Sequence, residues 1–159
     1  MIKIGIDNGV TGSIGVITDE SSTLYRTPIK KGQDYTKKKK IISRIDVIGL
    51  ASILRPLKGA FALIERPMLN PKMWTSSLSA IRAYEATITL LESFNIGYQP
   101  IDSKEWQREL LPKGVKGSTE LKKASKDIGI RMFPQFRELI EKQGDADGML
   151  IAEYARRKY

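Results

Sequence analysis

Three acidic positions carry the strongest chemical signal in this sequence. Asp7 follows the strand candidate at residues 2–6, Glu65 ends the apolar run at 61–65, and Asp147 opens the last helix candidate. Carboxylates that converge repel one another unless cations lie between them. Two divalent ions about 4 Å apart activate a water and stabilise the leaving oxygen in phosphodiester cleavage. The acids therefore predict metal-dependent phosphodiester hydrolysis, whereas Asp7 read alone, before Asn8 and Gly9, is an Asp that caps its own turn.

Composition removes several other chemistries. The 159 residues contain no cysteine and no histidine, which excludes disulfides, Cys/His zinc sites, thiol nucleophiles and Ser-His-Asp triads. Any metal must be held by oxygen, so Mg²⁺ or Mn²⁺ is favoured. The formal net charge is +9 and the pI is near 9.7, which indicates a polyanionic partner such as nucleic acid.

The positive charge is concentrated in two segments. Residues 26–44 contain eight basic side chains and one acid, and residues 104–126 contain seven basic side chains and three acids. We interpret the lysine-rich loop at 30–40 and the loop at 111–117 as contacts to phosphates. A solvated or mobile loop is the alternative for the first of them.

Hydrophobic periodicity predicts a mixed α/β domain over residues 1–159. The order of elements indicates a five-stranded sheet, with three antiparallel strands and then parallel strands, and helices on both faces. If the first and fourth strands are parallel neighbours, Asp7 lies beside Glu65, and the last helix adds Asp147. The predicted strands cover residues 2–6, 13–17, 23–29, 61–65 and 96–101, and the predicted helices cover 41–54, 75–94, a short segment from Ser103, a segment from Ser118 or Thr119, and 146–157.

The chain begins directly with a strand candidate and contains no apolar run long enough to span a membrane. We therefore expect no signal peptide, no membrane association and an intracellular, cytoplasmic protein.

Three segments together resemble the RuvC-type Holliday junction resolvases of the RNase H-like (retroviral integrase) superfamily, with the bacteriophage branch as one option. They are residues 4–12, 63–67 and 145–152, and the resemblance covers nearly the whole chain. It implies a homodimeric endonuclease that cuts two strands of a four-way DNA junction. It also implies two Mg²⁺ ions per active site, with Mn²⁺ as a substitute, and no nucleotide cofactor. In a virus-encoded protein this activity belongs in the host cytoplasm.

The resemblance assigns metal ligation to Asp7, Glu65 and Asp147. In the bacterial members the segment that corresponds to Asp147 resembles the pattern Asp-x-x-Asp. This chain departs from that pattern, because Gly144 lies three residues before Asp147. Asp145 either replaces the missing acid as a ligand or only caps the helix, and both interpretations stay open.

The resemblance also suggests two lysines near the scissile phosphate, Lys104 and Lys122, with Lys123 as a substitute for Lys122. Surface lysines on a basic face are the alternative. Met68 occupies the position of an apolar residue that wedges into the junction, and Trp74 is its rival, although packing in the core or in a dimer is the alternative for both. The family comparison assigns the dimer surface to the helix at 75–94. The DNA-contacting residues predicted here are Lys37, Lys38, Lys39, Lys40, Met68, Lys72, Trp74, Lys113, Lys116 and Lys123.

Three other functions were weighed. The segment at 7–12 also resembles the phosphate-binding turn of sugar kinases and actin-like ATPases, but those proteins need two such domains and lack an acid on a closing helix. A non-catalytic nucleic-acid-binding module conflicts with carboxylates beside phosphates. A related nuclease that acts on flaps, forks or RNA stays open, because dimer geometry and loops determine substrate shape.

Overall fold

The computed structural model describes residues 1–34 and 36–159. Its centre is a five-stranded sheet, and a separate two-stranded hairpin follows the third strand. The strands are β1 (Lys3–Ile6), β2 (Ser13–Ile17), β3 (Ser22–Arg26), β4 (Ile29–Gln33), β5 (Ile41–Ile45), β6 (Phe61–Glu65) and β7 (Gly97–Ile101).

Helices cover both faces of the large sheet, whose strand order is β3-β2-β1-β6-β7. Strand β1 is antiparallel to β2 and parallel to β6, while β2–β3 is antiparallel and β6–β7 is parallel. The predicted mixed sheet is therefore confirmed. The helices are α1 (Val47–Leu54) and α2 (Trp74–Ser93) on one face, and α3 (Ser103–Leu110), α4 (Ser118–Met132), α5 (Arg137–Gln143) and α6 (Asp147–Lys158) on the other.

Side-chain alternation along β1 decides which face each residue joins. Ile4 and Ile6 are buried in the core under α1 and α2, so Gly5 and then Asp7 belong to the opposite face. There α6 approaches the sheet closely, since a Cβ at Gly5 would lie 2.1 Å from the backbone nitrogen of Ala152, and one at Gly15 would lie 2.5 Å from the carbonyl oxygen of Gly148. Only glycine permits this approach.

The region between residues 27 and 46 differs from the prediction. The predicted strand at 23–29 ends at Arg26, the predicted loop at 30–40 contains β4, and the first part of the predicted helix at 41–54 is β5. Two causes explain the error. The branched residues Ile41, Ile42 and Ile45 suit a strand that pairs with β4, and the Asp46 carboxylate caps α1 by accepting from the Ile48 backbone N–H at 3.2 Å.

Other boundaries move by one or two residues. Asp102 rather than Ser103 caps α3, in a capping box with Glu105. Helix α2 begins at Trp74, α4 follows Gly117, and α6 begins at Asp147. Helix α5 was not predicted. No helix in the described part of the chain is long and apolar enough to cross a membrane.

Candidate metal centre

The sheet brings the two strand-terminal acids to one edge. In the parallel pairing of β1 with β6, Ile6 lies opposite Ile64, so Asp7 and Glu65 follow adjacent strands at the same end. Both continue the face that α6 covers, because each lies two residues after a residue of that face, Gly5 and Leu63 respectively. This register explains why Asp7 and Glu65 lie side by side, as the sequence predicts for parallel neighbouring strands.

Three carboxylates form the tightest cluster among the described residues. Asp7, Asp145 and Asp147 each offer an oxygen within 4.8 Å of the others. Asp145 is only 4% exposed, and because α6 begins at Asp147, Asp145 precedes the helix. Its Oδ1 accepts a long contact of 3.4 Å from the Asp147 N–H. Asp145 is thus a member of the acidic cluster as well as a weak contact at the helix start.

The chain geometry explains why an acid is absent three residues before Asp147. Gly144 ends α5 with a φ of 96°, in the left-handed region that glycine enters without strain. The turn at Gly144 leads directly to Asp145. The carboxylate nearest to the position of the missing acid is therefore that of Asp145, which lies within the cluster.

Burial and mutual repulsion determine the electrostatics of the cluster. Burial, and then the charges of Asp147, Glu65 and Asp145, raise the pKa of Asp7 well above its usual value. Burial and the Asp145 charge raise the pKa of Asp147 to about 7. Burial also raises the pKa of Asp145. Anions kept this close and partly desolvated need a cation to be stably ionised together.

Two serines hold the cluster from neighbouring elements. The Ser125 hydroxyl on α4 donates to Asp147 Oδ1 and accepts from the Ala146 backbone N–H at 3.1 Å. Ser125 is 1% exposed. On the sheet side, Ser13 Oγ accepts from the Gly148 N–H at 3.1 Å. The start of α6 is therefore anchored to both α4 and β2, which orients Asp147 toward Asp7.

Glu65 lies beside the three-acid cluster and has a partner of its own. Trp106, fully buried on α3, donates from Nε1 to Glu65 Oε1 at 2.6 Å. Burial raises the pKa of Glu65, and the Trp106 hydrogen bond opposes this rise. Trp106 thus orients the Glu65 carboxylate. The second carboxylate oxygen of Glu65, Oε2, has no hydrogen bond among the described residues.

Of the two predicted phosphate-site lysines, only Lys122 contacts an acid. Its Nζ lies 3.7 Å from Asp145 Oδ2, and its side chain is 65% exposed. It lowers the pKa of Asp7, Asp145 and Asp147 against the larger effect of burial. Lys104 is exposed on α3 and makes no ion pair within the described residues. It lines a groove with Arg108, Lys113 and Lys116.

The remaining predicted DNA-contacting residues lie on the surface. Met68 is 81% exposed and Trp74 is 66% exposed, so neither packs in the core, which removes one of the interpretations made for them. The exposed lysines among them are Lys37, Lys38, Lys39, Lys40, Lys72, Lys113, Lys116 and Lys123.

Sequence reasoning missed three residues that support the centre, namely Ser125, Trp106 and Gln143. Gln143 Nε2 donates to the Thr11 carbonyl oxygen at 2.5 Å and so ties the β1–β2 turn to the end of α5. Each acts across a sequence separation of 22 residues or more. A single sequence carries no signal for such pairs. The one available hint is the position of Ser125 on the apolar stripe of α4, between Leu121 and Ile128.

The donor set suits a hard divalent cation. The cluster consists of carboxylate oxygens, which Mg²⁺ and Mn²⁺ prefer, and Glu65 adds a further oxygen at its border. Burial first, and then the charges of the neighbouring acids, raise the pKa of Asp7 and of Asp147, and a bound cation would oppose both effects. Asp7, Asp145 and Asp147, with Glu65 beside them, are the residues that fit such an ion.

No protein-family model matches the chain, and no curated protein matches it significantly by sequence. Its fold does match solved structures. RuvC of T. thermophilus in complex with Holliday junction substrate aligns with a TM-score of 0.56 and 13% identity, over 99% of this chain and 96% of that chain. A structure of Thermus thermophilus RuvC aligns with a TM-score of 0.54 and 15% identity, with the same coverage. The chain therefore has the RuvC-like fold of the RNase H-like class, with its mixed five-stranded sheet.

Proposed function

We propose that this protein is a divalent-metal-dependent endonuclease that cuts branched DNA, with the four-way junction as its substrate. The observation that carries the proposal is the convergence of Asp7, Asp145 and Asp147 within 4.8 Å, at the edge of a RuvC-like sheet. The net charge of +9 supports a nucleic-acid substrate, because cations around an acidic site attract the phosphate backbone.

In this proposal the acidic cluster and Glu65 hold Mg²⁺, and two ions are expected per site. When bound, the metal lowers the pKa of a coordinated water and stabilises the leaving oxygen. The protein's own contribution is orientation: Ser125 holds Asp147, and Trp106 holds Glu65. Lys122, 3.7 Å from Asp145 and exposed, offers a cation to the phosphate next to the cluster. Lys104 is the second lysine proposed near the scissile phosphate. Lys123 is the substitute for Lys122.

The exposed basic surface is the proposed DNA contact. Lys104 and Arg108 line a groove with two lysines of the α3–α4 connection, and phosphate contacts there would give binding a strong salt dependence. Met68 and Trp74, both exposed at the β6–α2 connection, are the proposed wedge residues. Unstacking by such apolar side chains suits a branch point.

We also propose a homodimer that uses α2, since paired cuts in a junction need two active sites. The support is an exposed apolar group at the start of this helix. Leu69 is 60% and Met73 is 56% exposed, and apolar surface of this kind, next to the proposed wedge residues, marks interaction sites. Light scattering combined with gel filtration tests this part directly.

The test of the function is nicking of a labelled four-way junction beside a linear duplex of matched sequence, in Mg²⁺ and in EDTA. The proteins compared are the wild type, Asp7→Asn and, as control, Asp127→Asn, which alters an exposed carboxylate of α4 outside the cluster. Paired cuts on the junction that need Mg²⁺, disappear in Asp7→Asn and persist in Asp127→Asn are expected.

Two outcomes would change the conclusion. Equal cutting of junction and linear duplex would keep the nuclease and remove its selectivity for four-way junctions, and flaps or forks would be tested next. Tight binding of the junction without cleavage in Mg²⁺ or Mn²⁺ would overturn the nuclease and leave a binding module.

A further inference from the structure

The hairpin formed by β4 and β5 is the most basic element of the fold. Its strands and connection, residues 29–45, carry one acid, Asp34. That carboxylate already accepts from the backbone N–H of Thr36 at 2.9 Å and from its hydroxyl at 2.6 Å. The basic side chains of the hairpin, all exposed, are Lys30, Lys31, Lys37, Lys38, Lys39, Lys40 and Arg44.

Pairing within the hairpin opposes like charges. Lys30 lies directly across from Arg44 in the β4–β5 register, and directly opposed like charges destabilise a two-stranded ribbon. None of the hairpin's basic side chains makes an ion pair with a described acid. Lys31 instead donates to Ser43 Oγ at 2.7 Å. The free protein therefore keeps an uncompensated cationic ribbon.

The base of the hairpin lies at the edge of the sheet where the acidic cluster is found. The Thr27 N–H donates to the carbonyl oxygen of Gly12 at 3.0 Å, in the turn that follows Asp7. The Asp46 N–H donates to the Pro28 carbonyl oxygen at 2.9 Å and closes the base. Ile45 is 5% exposed and belongs to the core.

Arg44 lies between the hairpin and the turn that follows Asp7. Arg44 and Val10 line one cavity between the hairpin and α2, and Val10 lies three residues after Asp7. Arg44, which forms no ion pair with an acid in the described part of the chain, thus lies near the turn that follows Asp7. The hairpin thus shares one end of the sheet with the cluster and lies on the α2 side of it, where a duplex arm that extends from the cluster toward α2 would meet it.

We propose that the β4–β5 hairpin is a DNA-backbone clamp, and that Lys30 and Arg44 together hold phosphates of the duplex arm that enters the site. The proposal rests on the proposed function and adds a contact that is independent of DNA sequence and of branching. Phosphate between the two side chains relieves their repulsion, so binding and hairpin stability are coupled. Two-stranded ribbons are known DNA-binding elements, and Lys and Arg side chains that neutralise phosphates supply affinity that does not depend on sequence.

The test uses charge reversal in the full-length protein carrying Asp7→Asn, which prevents cleavage in Mg²⁺. Arg44→Glu turns the like pair into an opposite pair with Lys30, so hairpin stability rises or stays unchanged while phosphate binding falls. Lys58→Glu is the control. It makes the same change in net charge at an exposed lysine before β6, at the sheet end remote from the cluster.

Affinity for a four-way junction and for a linear duplex is measured by fluorescence anisotropy across a salt series. We expect Arg44→Glu to weaken binding to both DNAs by the same factor, about tenfold, and to reduce the log–log salt slope by about 1 or 2. Lys58→Glu is expected to change affinity less than about threefold. Lys30→Glu should reproduce Arg44→Glu, which guards against a folding defect in either variant.

The outcomes separate the two proposals. If the parent protein binds junction DNA and the variants at Arg44, Lys30 and Lys58 weaken binding equally, the clamp is refuted and the proposed function is untouched. If the parent binds neither DNA, the proposed function fails, and the clamp fails with it. If the junction alone loses affinity in Arg44→Glu, the hairpin reads the branch and a sequence-independent backbone clamp is refuted.

Discussion

Neutralising Asp147 should stabilise the metal-free protein while it abolishes activity. Burial and the Asp145 charge raise the pKa of Asp147 from 3.8 to about 7. That difference corresponds to about 4 kcal/mol of folding free energy that is lost when the carboxyl group ionises. Asn cannot ionise, and its amide oxygen still accepts from the Ser125 hydroxyl, although a neutral acceptor is weaker by about 1 kcal/mol. We therefore expect Asp147→Asn to raise the free energy of unfolding by about 3 kcal/mol at high pH.

The pH dependence has a definite sign. The folded state holds the Asp147 proton more tightly than the unfolded state, so the stability of the wild type is greatest below about pH 4 for this group. It falls as the pH rises and reaches its lowest level above a pH of about 7, where Asp147 ionises in the folded protein. The advantage of Asp147→Asn should therefore shrink to below about 1 kcal/mol near pH 5.

Urea denaturation in EDTA at about pH 5 and about pH 8 measures this effect, with the exposed Asp127→Asn as control, for which a change within about 0.5 kcal/mol is expected. Added Mg²⁺ should raise the stability of the wild type and leave Asp147→Asn nearly unchanged, because ligand binding stabilises only a state with an intact site. A loss of stability in Asp147→Asn that is equal at both pH values would refute the reasoning. It would mean that Asp147 acts as a packing residue rather than as part of a repelling cluster.

Three further substitutions test the elements around the cluster. Ser125→Ala removes the donor to Asp147, and the Mg²⁺ concentration for half-maximal cleavage should rise at least about tenfold. Trp106→Phe keeps an aromatic ring but loses the donor to Glu65, so kcat should fall by about tenfold or more. Gly5→Ala forces a methyl group against the backbone of α6, and the free energy of unfolding should drop by about 3 kcal/mol in urea denaturation.

Gly5→Ala has a matched control in Gly97→Ala. Gly97→Ala adds a methyl group on β7 whose nearest neighbour atom lies at 3.8 Å, and it should be close to neutral. If it destabilises as much as Gly5→Ala, the α6 contact is not the cause of the loss, because Ala within a strand is favoured over Gly by about 0.5–1 kcal/mol. An unchanged Mg²⁺ requirement in Ser125→Ala would show that Ser125 does not position Asp147. An unchanged kcat in Trp106→Phe would show that Trp106 does not orient Glu65.

The hairpin at β4–β5 illustrates where prediction from one sequence fails. The branched run from Ile41 to Ile45 fits both a buried helix stripe and a strand, and short apolar segments of this kind are ambiguous. Only the pairing of Ile45 with Ile29 and of Arg44 with Lys30 selects the strand. The segment at 30–40 was predicted as a loop and contains part of β4, because its regular structure depends on a partner strand. The predicted contact of its lysines with phosphates stays a prediction.

Asp145 illustrates the same difficulty in the site. If the last helix included Asp145, its carboxylate would point away from that of Asp147. The sequence was therefore equally consistent with Asp145 as a metal ligand and as a helix cap. The helix instead begins at Asp147, and Gly144 turns the chain so that the Asp145 carboxylate is buried within the cluster. The predicted helix at 146–157 also left Asp145 outside, so the helix boundary did not decide the question. The direction of the chain after Gly144 decided it, and local spacing does not determine that direction.

The sequence by itself determined the class of the fold and restricted any metal ligands to oxygen atoms, because both depend on residue types and periodicity. Alternating isoleucines before Asp7, a buried run before Glu65 and the absence of cysteine and histidine required no contact map. The tertiary structure alone decided the partners. Trp106 meets Glu65 and Ser125 meets Asp147 across long sequence separations, since sheet register and helix packing set those distances and neither is written in local sequence.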